Sequence, residues 1–188
     1  IIWQMPNFNF DAMPPEAISR LEALERMDTA RGEGVEAVCA FGEYVFGLKA
    51  AAHHRLWLTE EEESDRVCIQ APPSSAKTTW ITIIKTCWFI AKYPLLTNGI
   101  ASASDDASDD ITKAMAETIE HNPRFHEVFE HIIPDKNRGW SSNGYNVRDD
   151  TYSLEEWELK RAGDRSPTLV GGGVGSSRFN GFRCTGRF

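Results

Sequence analysis

The stretch Ala71-Pro72-Pro73-Ser74-Ser75-Ala76-Lys77-Thr78-Thr79 constrains this chain more than any other. It lies between a short run of strand-forming character, Arg66-Val67-Cys68-Ile69-Gln70, and a long run of helical character from Trp80 to Ala91. Its register is A-x-x-x-x-A-K-T, the phosphate-binding loop pattern G-x-x-x-x-G-K-[ST] with alanine in both glycine places. In such a loop the chain leaves a strand, wraps into a nest of backbone N–H groups, and enters a helix whose free N–H groups face an anion. Pro72 and Pro73 have no N–H. The cradle therefore falls to Ser74, Ser75, Ala76, Lys77, Thr78 and Thr79. Lys77 is placed to reach the β- and γ-phosphates of a nucleoside triphosphate, and the Thr78 hydroxyl to sit on Mg²⁺. If Ala76 must adopt φ > 0, its Cβ costs roughly 1–2 kcal/mol. The competing reading of the same residues is an ordinary βα turn with a solvated lysine.

The chain has 188 residues, enough for one good core with a small appendage. Its apolar fraction of 41%, with six Trp and ten Phe, is that of a globular protein. A net charge of −8 argues against a surface that is nucleic-acid-binding throughout, and leaves room for a local basic patch. Cys39, Cys68 and Cys87 stand in apolar runs and read as buried thiols; with Cys184 they make no C-x-x-C, which points to a reducing compartment. No apolar run reaches the ~18 residues of a membrane span. The chain opens on Ile1-Ile2 and closes on Thr185-Gly186-Arg187-Phe188, and the expectation is a piece of a longer protein.

Helices are predicted over Pro14 to Asp28, Val35 to Gly47 and Ala50 to Leu58, followed by a solvated acidic loop, Glu60 to Glu63. After the βα unit, Gly99 to Ser104 reads as a buried strand and Asp105 to His121 as a helix. Phe125, Val128 and Phe129 read as a further helical turn or two. Trp140, Tyr145 to Arg148, Leu154 to Leu159 and Ser166 to Val170 read as short strands, and Gly171 to Gly175 as a flexible turn. The acidic cluster Asp105, Asp106, Asp109 and Asp110 reads as helix N-terminal charge. No H-E-x-x-H is present to make a zinc site. Arg178, Arg183 and Arg187 follow the glycines; they suit either phosphate contact or a salt-bridged loop. No apolar run after Lys77 closes on the paired acids that triphosphate hydrolysis needs, although Phe188 is placed to begin one.

Taken in order, several segments across roughly residues 41–188 resemble the large terminase subunit of tailed bacteriophages. They are Phe41 to Lys49, His53 to Trp57, the loop segment Val67 to Thr79, Ala101 to Asp106, Asn122 to Phe125 with Trp140, Ser166 to Gly175, and Thr185 to Arg187. The resemblance implies an α/β fold: an additional-strand P-loop NTPase whose mostly parallel sheet is flanked by helices. Residues 1–60 would be a helical lead-in and 61–188 an incomplete ATPase core. It also implies ATP and Mg²⁺ as cofactors and a function in driving double-stranded DNA into a procapsid. The partners would be DNA, the portal protein, the small terminase subunit and other copies in a ring, with no membrane, in the host cytoplasm. Lys77 and Thr78 map onto the loop lysine and the Mg²⁺ hydroxyl, and Arg178 onto a trans-acting arginine.

The departures are Ser74 and Ser75, where the family often has glycine or a basic residue, and the missing Walker B acids and nuclease domain. Residues 1–188 alone are therefore expected to bind nucleotide weakly and turn it over little. The alternatives are another P-loop enzyme of helicase or kinase type, or a non-catalytic interaction module with a degenerate loop. A kinase lid rich in arginine and a D-E-x-H motif are both absent.

Overall fold

The computed structural model describes residues 14–135, 139–141, 144–162, 166–180 and 182–187. The expectations for residues 1–13 and Phe188 lie outside them. Three helices come first: α1 (Pro15–Ala30), α2 (Gly34–Phe46) and α3 (Ala52–Glu63). A π-helical turn (Thr78–Ile84) then runs directly into α4 (Lys85–Lys92). Next are β1 (Asn98–Ser102), α5 (Asp105–His121), α6 (Pro123–Val128), β2 (Ile132–Pro134), β3 (Trp140–Ser141), β4 (Gly144–Tyr145) and β5 (Val147–Asp149). α7 (Leu154–Lys160), β6 (Leu169–Gly173) and a 3₁₀ turn (Ser177–Phe179) complete the order.

The larger sheet has the order β1-β6-β4-β3, and β2 pairs with β5 separately. Only β1 and β6 run parallel, with Asn98 opposite Leu169 and Ser102 opposite Gly173; the other pairings among the described residues are antiparallel. The run Arg66 to Gln70 is extended coil, not the strand its composition predicts. β-propensity expresses itself only against a neighbour, and no ladder partner stands beside this run among the described residues.

One hydrophobic cluster holds the molecule together and draws on both sides of residue 60: Val38, Phe41 and Leu58 pack with Trp80, Ile84, Met115, Phe125 and Leu169. Phe41 meets Phe125 and Phe129 at ring centroid distances of 6.1 and 5.9 Å. Arg31 ties α1 to α6, donating through Nε and Nη2 to the carbonyls of Val128 and Glu127. The stripe Ile18, Leu21 and Leu24 of α1 stays exposed; the helix packs through Ala30 and Met27 instead.

Four further expectations need correction. Glu60 to Glu63 is the last turn of α3, where Glu61 is ion-paired. Leu154 to Leu159 is helical: Ser153 and Glu156 form a capping box, Glu156 N donating to Ser153 Oγ at 3.3 Å and Ser153 N to Glu156 Oε2 at 2.9 Å. Gly171 to Gly173 is a buried strand, not a turn. Its missing Cβ atoms let α5 lie on the sheet; at Gly173 a Cβ would come within 2.9 Å of the Asp105 nitrogen. Cys68 is exposed, because its run is coil rather than a core strand. Among the described residues no helix is long and apolar enough to cross a membrane.

Candidate functional site

The loop is a wrapped turn, not an open strand end. Ser74 and Ala76 both take left-handed φ, 64° and 56°, a region L-residues other than glycine, asparagine and aspartate seldom enter. Lys77 follows at φ −55°, ψ −52°. A left-handed residue beside a right-handed one turns successive N–H groups to the same side, the arrangement that makes an anion-binding concavity. The Ala76 carbonyl accepts the first helical bond, from Trp80 N at 3.0 Å. Among the described residues, the N–H groups of Ala76, Lys77, Thr78 and Thr79 have no hydrogen-bond acceptor. They are the unsatisfied donors that every helix start presents.

Lys77 is exposed, but its Nζ folds back and donates to the Ile69 carbonyl at 3.3 Å. Its ammonium therefore lies over the residues that lead into the turn. Thr78 is exposed at the helix start, with no side-chain partner among the described residues. The six cradle residues named from sequence are thus contiguous on one turn.

What fixes that turn was not legible in the motif. His54, on α3, is buried at 7% exposure. Its Nδ1 accepts from Ala51 N at 3.1 Å, so Nε2 carries the proton and donates to the Ser75 carbonyl at 2.9 Å. The imidazole stacks on the Trp80 indole, centroids 5.2 Å apart and planes 24° from parallel. Trp80 is seated against Gly42 of α2, where a Cβ would come within 2.6 Å of the indole. α2, α3 and the π-helical turn thereby hold the loop at Ser75 and Trp80, and the amides of Ala76 to Thr79 keep no acceptor among the described residues. The sequence signal was the pair His53-His54 upstream of the loop, with no indication of which partner it takes.

The residues just before and after the loop line a largely polar cleft of about 600 Å³, with Glu61, Asp65, Arg66, Thr82 and Arg187 alongside Ile69 and Ile81. At its base Glu61 pairs with Lys85 Nζ at 3.2 Å and with the Arg187 guanidinium. Burial lowers the proton affinity of both Lys85 and Arg187, and Glu61 works against that shift.

The arginines separate by environment. Arg178 is held by both oxygens of Asp109, with Nη2 3.2 Å from Oδ2, and donates to the Gly171 carbonyl at 3.3 Å. The guanidinium chosen as a trans-acting group is thus engaged within its own chain. Arg183 is exposed, and its side chain has no partner among the described residues. In the acidic cluster Asp105 accepts from Gly173 N at 2.6 Å, and that bond, with one from Ser176, lowers its pKa. Among the described residues no group of three or more His, Cys, Asp or Glu side chains is placed to hold a metal. Comparison with family profiles, curated proteins and solved structures found no match.

Proposed function

We propose that this chain is the nucleotide-binding part of a viral DNA-packaging ATPase of the large terminase kind, taking ATP with Mg²⁺. The observation that supports the reading is the turn itself: left-handed Ser74 and Ala76, the amides of Ala76 to Thr79 without an acceptor among the described residues at a helix start, and Lys77 folded onto the Ile69 carbonyl. Such a concavity favours an anion through fixed partial charges and needs no glycine if the left-handed cost is met elsewhere. The clamp of His54 and Trp80 is that compensation.

In this reading the amides of Ala76 to Thr79 and the Lys77 ammonium hold the β- and γ-phosphates. The Thr78 hydroxyl would hold Mg²⁺, which when bound would neutralise phosphate charge. Lys77 leaves the Ile69 carbonyl to do so. Double-stranded DNA, the portal protein, the small terminase subunit and neighbouring copies in a ring are the corresponding partners. Arg178 reaches a neighbour's γ-phosphate only if it releases Asp109.

The test is Mg-ATP binding by calorimetry to the chain and to Lys77→Ala. At least tenfold weaker binding in the variant, with an unchanged circular dichroism spectrum, is the expected result. Equal binding, or no saturable binding by the unsubstituted chain at millimolar nucleotide, overturns the reading in favour of a non-catalytic interaction module.

A further inference from the structure

α3 touches the π-helical turn at both of its ends. At the near end His54 donates to the Ser75 carbonyl and stacks on the Trp80 indole. At the far end Glu61 pairs with Lys85 Nζ at 3.2 Å. Two turns of α3 separate His54 from Glu61, which puts them on one face, roughly 10 Å apart along the axis. Leu58, fully buried, lies on that face between them. The two residues these contacts fix, Trp80 and Lys85, are 1% and 6% exposed.

Trp80 and Lys85 are also the two ends of the bond that makes the turn wide. Lys85 N donates to the Trp80 carbonyl, five residues back, where a regular helix would bond it to Ile81. Five steps of a regular helix sweep about 500°. A turn that closes five residues back holds more residues per revolution, so the same five steps sweep less. A regular helix could therefore keep Trp80 against His54 or Lys85 beside Glu61, and not both. The far contact has a hold of its own, because a buried ammonium that loses its carboxylate is left uncompensated. The amides of Ala76 to Thr79 stand at the start of this turn, and wide turns of this kind are rare and gather at functional sites.

We propose that Glu61 and Lys85 are a positioning pair for the loop: with His54 they keep the turn wide, and the wide turn sets the direction of the amides that receive the phosphates. The pair itself touches no ligand. Its part in binding rests on the nucleotide reading above; the fastening of the turn does not.

The test is NMR of the coupling across the hydrogen bond from the residue 85 amide nitrogen, in the full chain, in Lys85→Met and in Lys85→Arg, with calorimetric Mg-ATP titration of all three. Lys85→Met removes the ammonium and leaves Glu61 paired with Arg187, while Lys85→Arg keeps the charge. In the unsubstituted chain the coupling runs to the Trp80 carbonyl carbon. In Lys85→Met it moves to Ile81, and Mg-ATP binds at least fivefold more weakly. In Lys85→Arg both readouts stay as in the unsubstituted chain. Three results overturn the proposal. One is a coupling to Ile81 already present in the unsubstituted chain, which needs no variant to fold. Another is a Trp80 coupling that survives in Lys85→Met. The third is a moved coupling with Mg-ATP affinity unchanged, which makes the pair a stability contact alone. If the unsubstituted chain binds no Mg-ATP, the nucleotide reading fails, and the couplings decide the fastening by themselves.

Discussion

His54 donates through Nε2 to the carbonyl of Ser75, 2.9 Å away and between two left-handed residues. The bond joins a lead-in helix to the loop, and Ala51 fixes the tautomer that makes it. Replacing His54 with Phe keeps a ring for the stacking on Trp80 and removes the donor to Ser75, together with the Nδ1 acceptor of the exposed Ala51 N–H, which water can replace. A single bond of this kind is worth about 0.5–1.5 kcal/mol, so Mg-ATP affinity should fall roughly two- to tenfold. His54→Gln, which can still donate, should recover part of the loss. Calorimetric titration of both variants reads this directly; equal affinities in all three proteins would remove His54 from any role in the loop.

Ala76 occupies a conformation in which glycine is at ease. Ala76→Gly should raise stability by up to about 1 kcal/mol, the left-handed penalty less glycine's extra freedom in the unfolded chain. Urea unfolding followed by tryptophan fluorescence measures it. A loss of stability would mean that the left-handed φ is not kept in solution.

Gly42 matters for what it leaves out. A side chain there meets the Trp80 indole at 2.6 Å from its first carbon. Gly42→Val should destabilise by roughly 1–3 kcal/mol, the usual cost of overpacking. It should also weaken nucleotide binding, because Trp80 carries the first turn after the loop. Thermal unfolding with and without Mg-ATP separates the two effects.

Glu61 answers two cations. Glu61 and Arg187 are about four-fifths buried and Lys85 more so, so Glu61→Leu alone should cost roughly 3 kcal/mol, the lower end of the range for breaking a buried pair. The triple variant Glu61→Leu, Lys85→Met, Arg187→Met should recover most of that, since no uncompensated charge remains. Chemical denaturation of the single and triple variants tests the claim; equal destabilisation of both would contradict it.

Asp105 gives an acid-limb signature. Its folded pKa lies below the ordinary 3.8 because Gly173 N, and then Ser176, bond its charged form. A depressed carboxylate contributes stability above its unfolded value and loses it as pH falls toward and through the folded value. The chain should therefore lose stability on acidification, and Asp105→Asn should flatten that slope while lowering stability at neutral pH. Denaturant midpoints taken from neutral pH into the acid range supply the comparison.

Much of the helical architecture was readable in particular residues. Asp105-Asp106 opens α5 where acidic charge suits a helix N-terminus, and Asn122-Pro123 ends it after His121, while the cap itself is Ser104, which the sequence placed in the preceding strand. α2 ends on Gly47 in the left-handed form that closes helices. The loop was legible as a turn between two runs, since a spacing motif names neighbours in sequence. Contacts between distant residues were not. Nothing in a glutamate run distinguishes Glu61, which finds Lys85 and Arg187, from Glu62 and Glu63, which stay exposed. Likewise Gly171 to Gly173 has the composition of a hinge. It is a strand because α5 needs a surface without side chains to lie on, a tertiary demand that local preference does not express.

The wide turn from Thr78 to Ile84 carries a cost of its own kind. Relative to an ordinary helix it holds surplus chain, and one residue in an α-helix is worth about 100° of rotation. Trimming a single residue here would let the segment relax into a regular helix, with α4 undisturbed in the core. The loop and Trp80 would then be swivelled by more than a quarter circle relative to α4, taking the indole off Gly42 and His54. Orientation of the loop is thus stored in an irregularity of helical pitch, and a change of one residue in length would be enough to erase it.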